Sequence, residues 1–267
     1  MKPGTFILII VISIMVLIIC LRSCEEEDYF EDTEIENSTD TIVDTIPEFP
    51  YGKPVQDYEV PKKDIPYKEI VAEWPDSIYK SVEGYLFLND IQREVIIEVN
   101  KCRTNPSRYA DEVLVPFLNS INADTVYVDS NGLNIKMREG RPAVQEAIKS
   151  LMAQNPVGIL KPKDYLCKAA IDHCKDHGPK CYVGHGGSDG SGPMTRVRKY
   201  NPKCRGIGEN IDYGSSSAVE IVRNLIVDDG VENRGHRDNL YHNYRNIGVG
   251  FGEHASIRYM CVIDFEM

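Results

Sequence analysis

Apolar residues in this 267-residue chain are distributed in two different ways. At the amino end, FILIIVISIMVLIICL runs through residues 6–21 without a charge. Beyond residue 86 the apolar positions recur at helical or alternating spacing between turn residues. In NDIQREVIIEVNKCRTNP, Asn89 is placed to cap a helix, and Ile91, Val95, Ile96 and Val99 share one of its faces. Pro106 opens a second helical stretch, PSRYADEVLVPFL. AVQEAIKSLMAQ follows Pro142, and KDYLCKAAIDHCKDH follows Pro162 and stops at Gly178. SSSAVEIVRNLIV reads as a serine-capped helix. NIGVGFG and RYMCVIDF read as strands, with GIGENIDYG as a third. Several helices around few strands predict an α/β fold: an α/β/α three-layer sandwich with a small, mostly antiparallel central sheet.

The chain divides into three parts. Residues 1–24 are a hydrophobic signal peptide or signal-anchor, 25–85 an acidic then proline-rich linker, and 86–267 the folded domain. The apolar run is long for the core of a signal peptide and short for a spanning helix, which needs about 17–25 residues. It can be a retained anchor, a cleaved signal, or the lead-in to a lipidated Cys20 or Cys24. All three place the remainder outside the cytoplasm, extracellular or at the cell surface, with the membrane a partner through residues 6–21 if uncleaved. In the linker, charge repulsion and proline stiffness oppose collapse. The alternative there is that EIVAEWPDSIYKSV packs on the domain through Trp74 and Tyr79.

The net charge of −11 changes little in this picture, because residues 25–50 carry eleven Asp or Glu and no Lys or Arg. The rest is nearly balanced and has no basic stripe, which excludes the usual nucleic-acid footprint. Setting aside Cys20 and Cys24, six cysteines remain: Cys102, Cys167, Cys174, Cys181, Cys204 and Cys261. An even count in an exported domain makes them disulfide candidates of unassigned pairing.

Four glycine-flanked stretches carry an imidazole or a carboxylate: GHGGSDG with His185, GIGEN with Glu209, VDDG with Asp228 and Asp229, and RGHRDN with His236. Glycine lets backbone and ligand approach closely. Two imidazoles and two carboxylates in one cleft would suit a divalent metal, Zn²⁺ above all, with His185 and His236 as its ligands. The same four would also suit acid–base chemistry without a metal, or a purely structural hydrogen-bonded plug. Glu232 is a spare acid on the loop before His236. A second possible pair, His173 and His177, stands at i, i+4 on one helix near Cys174 and Cys181.

The order of CYVGHGGSDG, GENI, AVEIV, GHRDNL and two terminal strands resembles the CAP superfamily, or SCP domain, of cysteine-rich secretory proteins, venom antigens and plant pathogenesis-related proteins of type 1. EVNKCRTNPSRYA and LCKAAIDHCKDHG extend the likeness over roughly residues 86–265, closest to the branch of bacteria and single-celled eukaryotes. The resemblance implies an α/β/α sandwich whose central cleft is faced by His185, Glu209, Asp228 and His236. Two departures stand out. Leu225 occupies a usual tryptophan position, which puts the shorter Asp228 on the second acid and leaves Asp229 as its rival. The aromatic GHYTQ-type motif is absent. The implied function is a non-enzymatic, exported binder of a lipid-like or protein ligand. The rival is a divalent-metal-dependent, peptidase-like hydrolase using the same cleft.

Overall fold

The computed structural model describes residues 73–267. The apolar run 6–21, with Cys20 and Cys24, and the linker up to residue 72 lie outside the described residues. Residues 74–85 are packed on the domain: Trp74, Ile78 of α1 (Asp76–Lys80) and Val82 all belong to its core. Trp74 donates to Glu112 at 2.9 Å, and the Arg108 guanidinium lies 4.1 Å from its ring centre. That cation–π stack and the buried indole hold residues 74–85 against the domain.

Helix α2 (Asp90–Thr104) starts in a reciprocal cap between Asn89 and Gln92. The stretch from Pro106 to Ser120 is α3 (Pro106–Tyr109), a wider π turn (Ala110–Leu114) and α4 (Val115–Ser120). Pro116 explains the wide turn: a proline inside a helix has no N–H to give and crowds the carbonyl four residues back. A hairpin of β1 (Val126–Val128) and β2 (Asn134–Lys136) precedes α5 (Arg141–Ala153). Then come β3 (Lys161–Pro162), α6 (Asp164–His177), α7 (Pro193–Tyr200), β4 (Ile207–Tyr213), α8 (Ala218–Val227), α9 (Gly235–Tyr241), β5 (Asn246–His254) and β6 (Arg258–Glu266).

The main sheet has the order β3-β5-β6-β4. Only β3, two residues long, runs parallel to its neighbour. Side chains alternate across it. Ile247, Val249, Cys261, Ile263 and Phe265 enter one core with Val95 and Val99 of α2 and Ile221 and Ile226 of α8. Met260, Val262 and Ile211 meet Ala170 and Cys174 of α6 on the other face. Leu166, Ala169 and Val197 then join α6 to α7. The result is the expected three layers.

The six cysteines are free thiols in this structure, five of them buried, so the disulfide expectation finds no bonded pair here. The five buried ones fill core positions as small apolar groups. Cys102 and Cys261 sit in the α2-side core, Cys174 and Cys204 in the clusters around α6. Burial pushes the Cys102 and Cys174 thiols up to about 12.

Arg103 is buried in the α2-side core, with no carboxylate partner among the described residues. Its guanidinium donates to the carbonyls of Gly158, Leu240, His242 and Tyr244, tying α2 to the end of α9. Lysine keeps the charge but not the five-donor fork. Arg103→Lys is therefore expected to lower stability by about 2 kcal/mol, since carbonyls are left unpaired. Urea unfolding of the full chain measures this, and an unchanged midpoint would mean water replaces the fork.

Candidate functional site

Three segments converge at the cleft. β4 presents Glu209 on the α6-facing side of the sheet, and the glycine-rich loop after α6 brings His185 over it. His185 Nδ1 lies 2.8 Å from one Glu209 oxygen, and Arg196 of α7 donates to the other at 2.6 Å. Arg196 also donates to the His185 and Ser191 carbonyls, so one buried arginine fixes both the acid and the loop. Burial alone would raise the Glu209 carboxyl; the His185 bond and the Arg196 charge overcome it and hold the group below its ordinary value.

The second couple forms where α8 ends. Asp228 is its C-cap, in the left-handed region at φ 55°. That turn aims the carboxylate at the start of α9. One oxygen meets His236 Nδ1 at 2.6 Å, and the other accepts from the His236 backbone N–H at 3.0 Å. Asp229 points elsewhere, accepting from the backbone N–H groups of Arg138, Glu139 and Gly140. Glu232 is exposed on the intervening loop. Asn210, next to Glu209, donates to the His236 carbonyl at 2.8 Å and joins the two couples.

The rings of His185 and His236 lie 6.4 Å apart, tilted by 33°. Each Nδ1 faces a carboxylate, an acceptor, so each Nδ1 carries a proton, and in a neutral ring the lone pair is on Nε2. Neither Nε2 has a hydrogen-bond partner among the described residues. Among the described residues no hydroxyl or thiol bonds to either ring. A carboxylate behind each imidazole is the outer arrangement typical of metal-binding histidines. Such donors would suit a divalent ion, with the two Nε2 atoms facing it. Glu209 and Asp228 have both oxygens engaged and stand behind the ligands.

The alternative pair is used differently. The Nε2 atoms of His173 and His177 donate to the Gly184 and Gly186 carbonyls at 2.9 and 2.7 Å. Asp176, grouped with them as a third potential donor, is occupied by Lys180 and Ser188. Their Nε2 atoms and the Asp176 carboxylate are committed to loop and helix contacts, while Nδ1 of each ring is buried without a hydrogen-bond partner.

Sequence reasoning passed over Arg196, Asn210 and Asp264. Asp264 stands directly across from Glu209 on β6, on the same face. It is fully buried, and neither oxygen has a hydrogen-bond partner. Burial, then the Glu209 charge, push its carboxyl well above the ordinary range. An acid inside the apolar run YMCVIDF was the available signal.

Two open grooves, of about 520 and 550 Å³, lie along the β5–β6 turn and the β1–β2 hairpin; none of the four cleft residues lines either. Among the described residues no helix is long and apolar enough to cross a membrane.

Comparison with known proteins places these features in a family. The family described as "CAP: Cysteine-rich secretory protein family" matches residues 98–265, which include all four cleft residues. Among solved structures, an extracellular protein containing an SCP domain from Bacillus anthracis is 20% identical, with a TM-score of 0.35 over 49% of this chain and 39% of that one. An outer surface protein from Borrelia burgdorferi is also 20% identical, with a TM-score of 0.35 over 46% of this chain and 86% of that one. The chain thus matches well under half the length of the Bacillus protein. No curated protein matches. With the family match spanning most of the chain, from within α2 to the last strand, this protein belongs to the cysteine-rich secretory protein, or CAP, family.

Proposed function

We propose that this is an exported, non-enzymatic binding domain whose cleft works through His185 and His236. The two imidazoles hold a divalent cation, Zn²⁺ by donor chemistry, and a group of the bound ligand or partner protein completes its coordination. The observation that carries this reading is the pair of carboxylate-backed rings with unpartnered Nε2 atoms. Two protein donors leave open positions, so the ion is held less tightly than at a four-ligand structural site. When bound, the ion supplies Lewis acidity toward an oxygen or nitrogen donor of the ligand. The export half of the reading rests on the uncharged run 6–21 and the acidic, proline-rich stretch after it.

A lipid-like ligand needs an enclosed apolar volume. The two grooves are open rather than enclosed, and their lining includes Asp129, Glu220, Glu253 and Arg258. A hydrolase would need a free base beside a metal-bound water. Glu209 and Asp228 are each committed through both oxygens, which tells against that role.

Titration of Zn²⁺ into the full-length chain tests the proposal. Wild type is expected to bind one ion per chain. His185→Ala and His236→Ala should each lose binding by well over tenfold, and Glu209→Gln or Asp228→Asn by about 10–100-fold. Absence of Zn²⁺ binding in a folded wild type, with the histidine variants merely less stable, would leave the four residues a structural plug.

A further inference from the structure

We propose that His173 and His177 are positioning residues for His185: buried in α6, they grip the two carbonyls that flank it and so fix the presentation of its ring in the cleft. This rests on His185 being a working donor of the cleft, as above, and extends it to residues that touch no ligand.

The geometry is a cradle over three consecutive carbonyls. His173 Nε2 lies 2.9 Å from the Gly184 oxygen, Arg196 2.9 Å from the His185 oxygen, and His177 Nε2 2.7 Å from the Gly186 oxygen. Tyr213 of β4 closes it, its hydroxyl accepting from the Gly184 N–H at 2.8 Å. A carbonyl only accepts, so both rings must carry their proton on Nε2. Four residues on a helix face is the spacing that stacks two side chains, and the two rings lie 4.1 Å apart. Their bonds therefore land two residues apart on the loop, with His185 between.

The arrangement is unfavourable for stability alone. Both rings are almost completely buried, and Nδ1 of each lacks any partner. An unpaired buried acceptor is destabilising, and an apolar side chain would fill the same space without it. What histidine adds here is a neutral donor that holds a glycine-rich backbone, which would otherwise be free to turn. A lysine or arginine could donate too, but would add a charge beside Arg196.

The test is nuclear magnetic resonance of the His185 ring in the full-length chain, which reads its tautomer without any metal, beside Zn²⁺ titration and melting. The variants are His173→Leu, His177→Leu and the corresponding glutamines, whose amide can still donate. Wild type should show His185 as the Nδ1–H tautomer. Each leucine variant should shift it toward a tautomer mixture and weaken Zn²⁺ binding at least tenfold, with glutamine restoring both. If a leucine variant does not fold, His177→Asn, one methylene short of glutamine, takes its place with the same expectation. An unchanged His185 spectrum in the folded leucine variants overturns the proposal. So does Zn²⁺ binding that survives His185→Ala and disappears in them, which would move the ion onto α6. If wild type binds no Zn²⁺ but the leucine variants still unlock His185, the cation reading fails and the positioning role stands.

Discussion

Gly248→Ala and Gly250→Ala are each expected to destabilise the domain by about 3 kcal/mol, the upper end of ordinary overpacking, and together to prevent folding. Both lie on the face of β5 that α6 covers, and α6 lies so close that a methyl group has nowhere to go. At Gly250 a Cβ would sit 2.6 Å from the Ala170 carbonyl oxygen and the Ile171 nitrogen. At Gly248 it would fall well under 3.0 Å from Leu166 and Cys167 backbone atoms. Backbone cannot rotate aside as a side chain can, so the whole helix must lift, and with it the loop that carries His185. Melting of the full chain should drop by about 10 °C for each single variant. Gly252→Ala is the control: its Cβ would meet only the Cys174 Cβ, at 3.3 Å, and should melt within a few degrees of wild type. Equal melting of Gly250→Ala and wild type would show that α6 can move off the sheet at little expense.

Those glycines also show what the sequence revealed. NIGVGFG was readable as a strand, because its apolar residues alternate. The tight seat of α6 was not, because nothing in a single chain tells which element lies over the glycine face. Helices with a broad apolar stripe, such as α2 and α8, were legible for the same reason that they are buried. α7 was missed: its only fully buried aliphatic is Val197, too little for a periodic signal. The β1–β2 hairpin was missed as well. Its strands are three residues each, and its turn is set by Asp129 accepting from the Asn131 and Leu133 N–H groups, a local side-chain effect.

At the cleft, residue types and their order pointed to four side chains, and the fold brings them together as two histidine–acid couples. Choosing between Asp228 and Asp229 required the backbone: the left-handed turn at residue 228 sends adjacent carboxylates in different directions. Arg196 and Asn210 were invisible because their roles depend on contacts 13 and 26 residues away, and the one signal for Asp264, an acid in an apolar run, gave no hint of its partner 55 residues away. His173 and His177 were singled out for the right spacing, but the partners of their Nε2 atoms are glycine carbonyls that no pattern marks.

The second large effect concerns pH. Asp212 of β4 is buried among Asn224, Ser215 and Arg223, with one oxygen unpartnered. Burial pushes its carboxyl up to about 7, against the pull of Ser215, Asn224 and Arg223. Asp264 is raised further in the same direction. An unfolded aspartate titrates near 4, so the unfolded chain releases these protons first as pH rises. The stability that Asp212 confers in this way is complete below about pH 4 and is lost as pH climbs to about 7. For Asp212, the interval from about 4 to about 7 corresponds to about 4 kcal/mol over that window. Carboxyls held low, Asp129 and Glu139 at about 2, act oppositely and fail only in stronger acid. The buried His173, lowered to about 4, and His177, also lowered by burial, contribute stability that is lost as pH falls below about 6.5 and oppose this trend. The Asp212 effect is therefore read from the difference between wild type and Asp212→Asn, which should decline from pH 4 toward pH 8. Asp212→Asn keeps the shape and stays neutral, so it should be more stable than wild type at pH 8 by roughly 3 kcal/mol relative to the same comparison at pH 4.5. Asp264→Asn should shift the profile the same way and, by leaving Glu209 its charge and its bonds to His185 and Arg196, should spare the cleft. Urea midpoints at both pH values decide it. Parallel wild-type and Asp212→Asn curves would mean that Asp212 is ionised in the native state, with Arg223 near enough to keep it so.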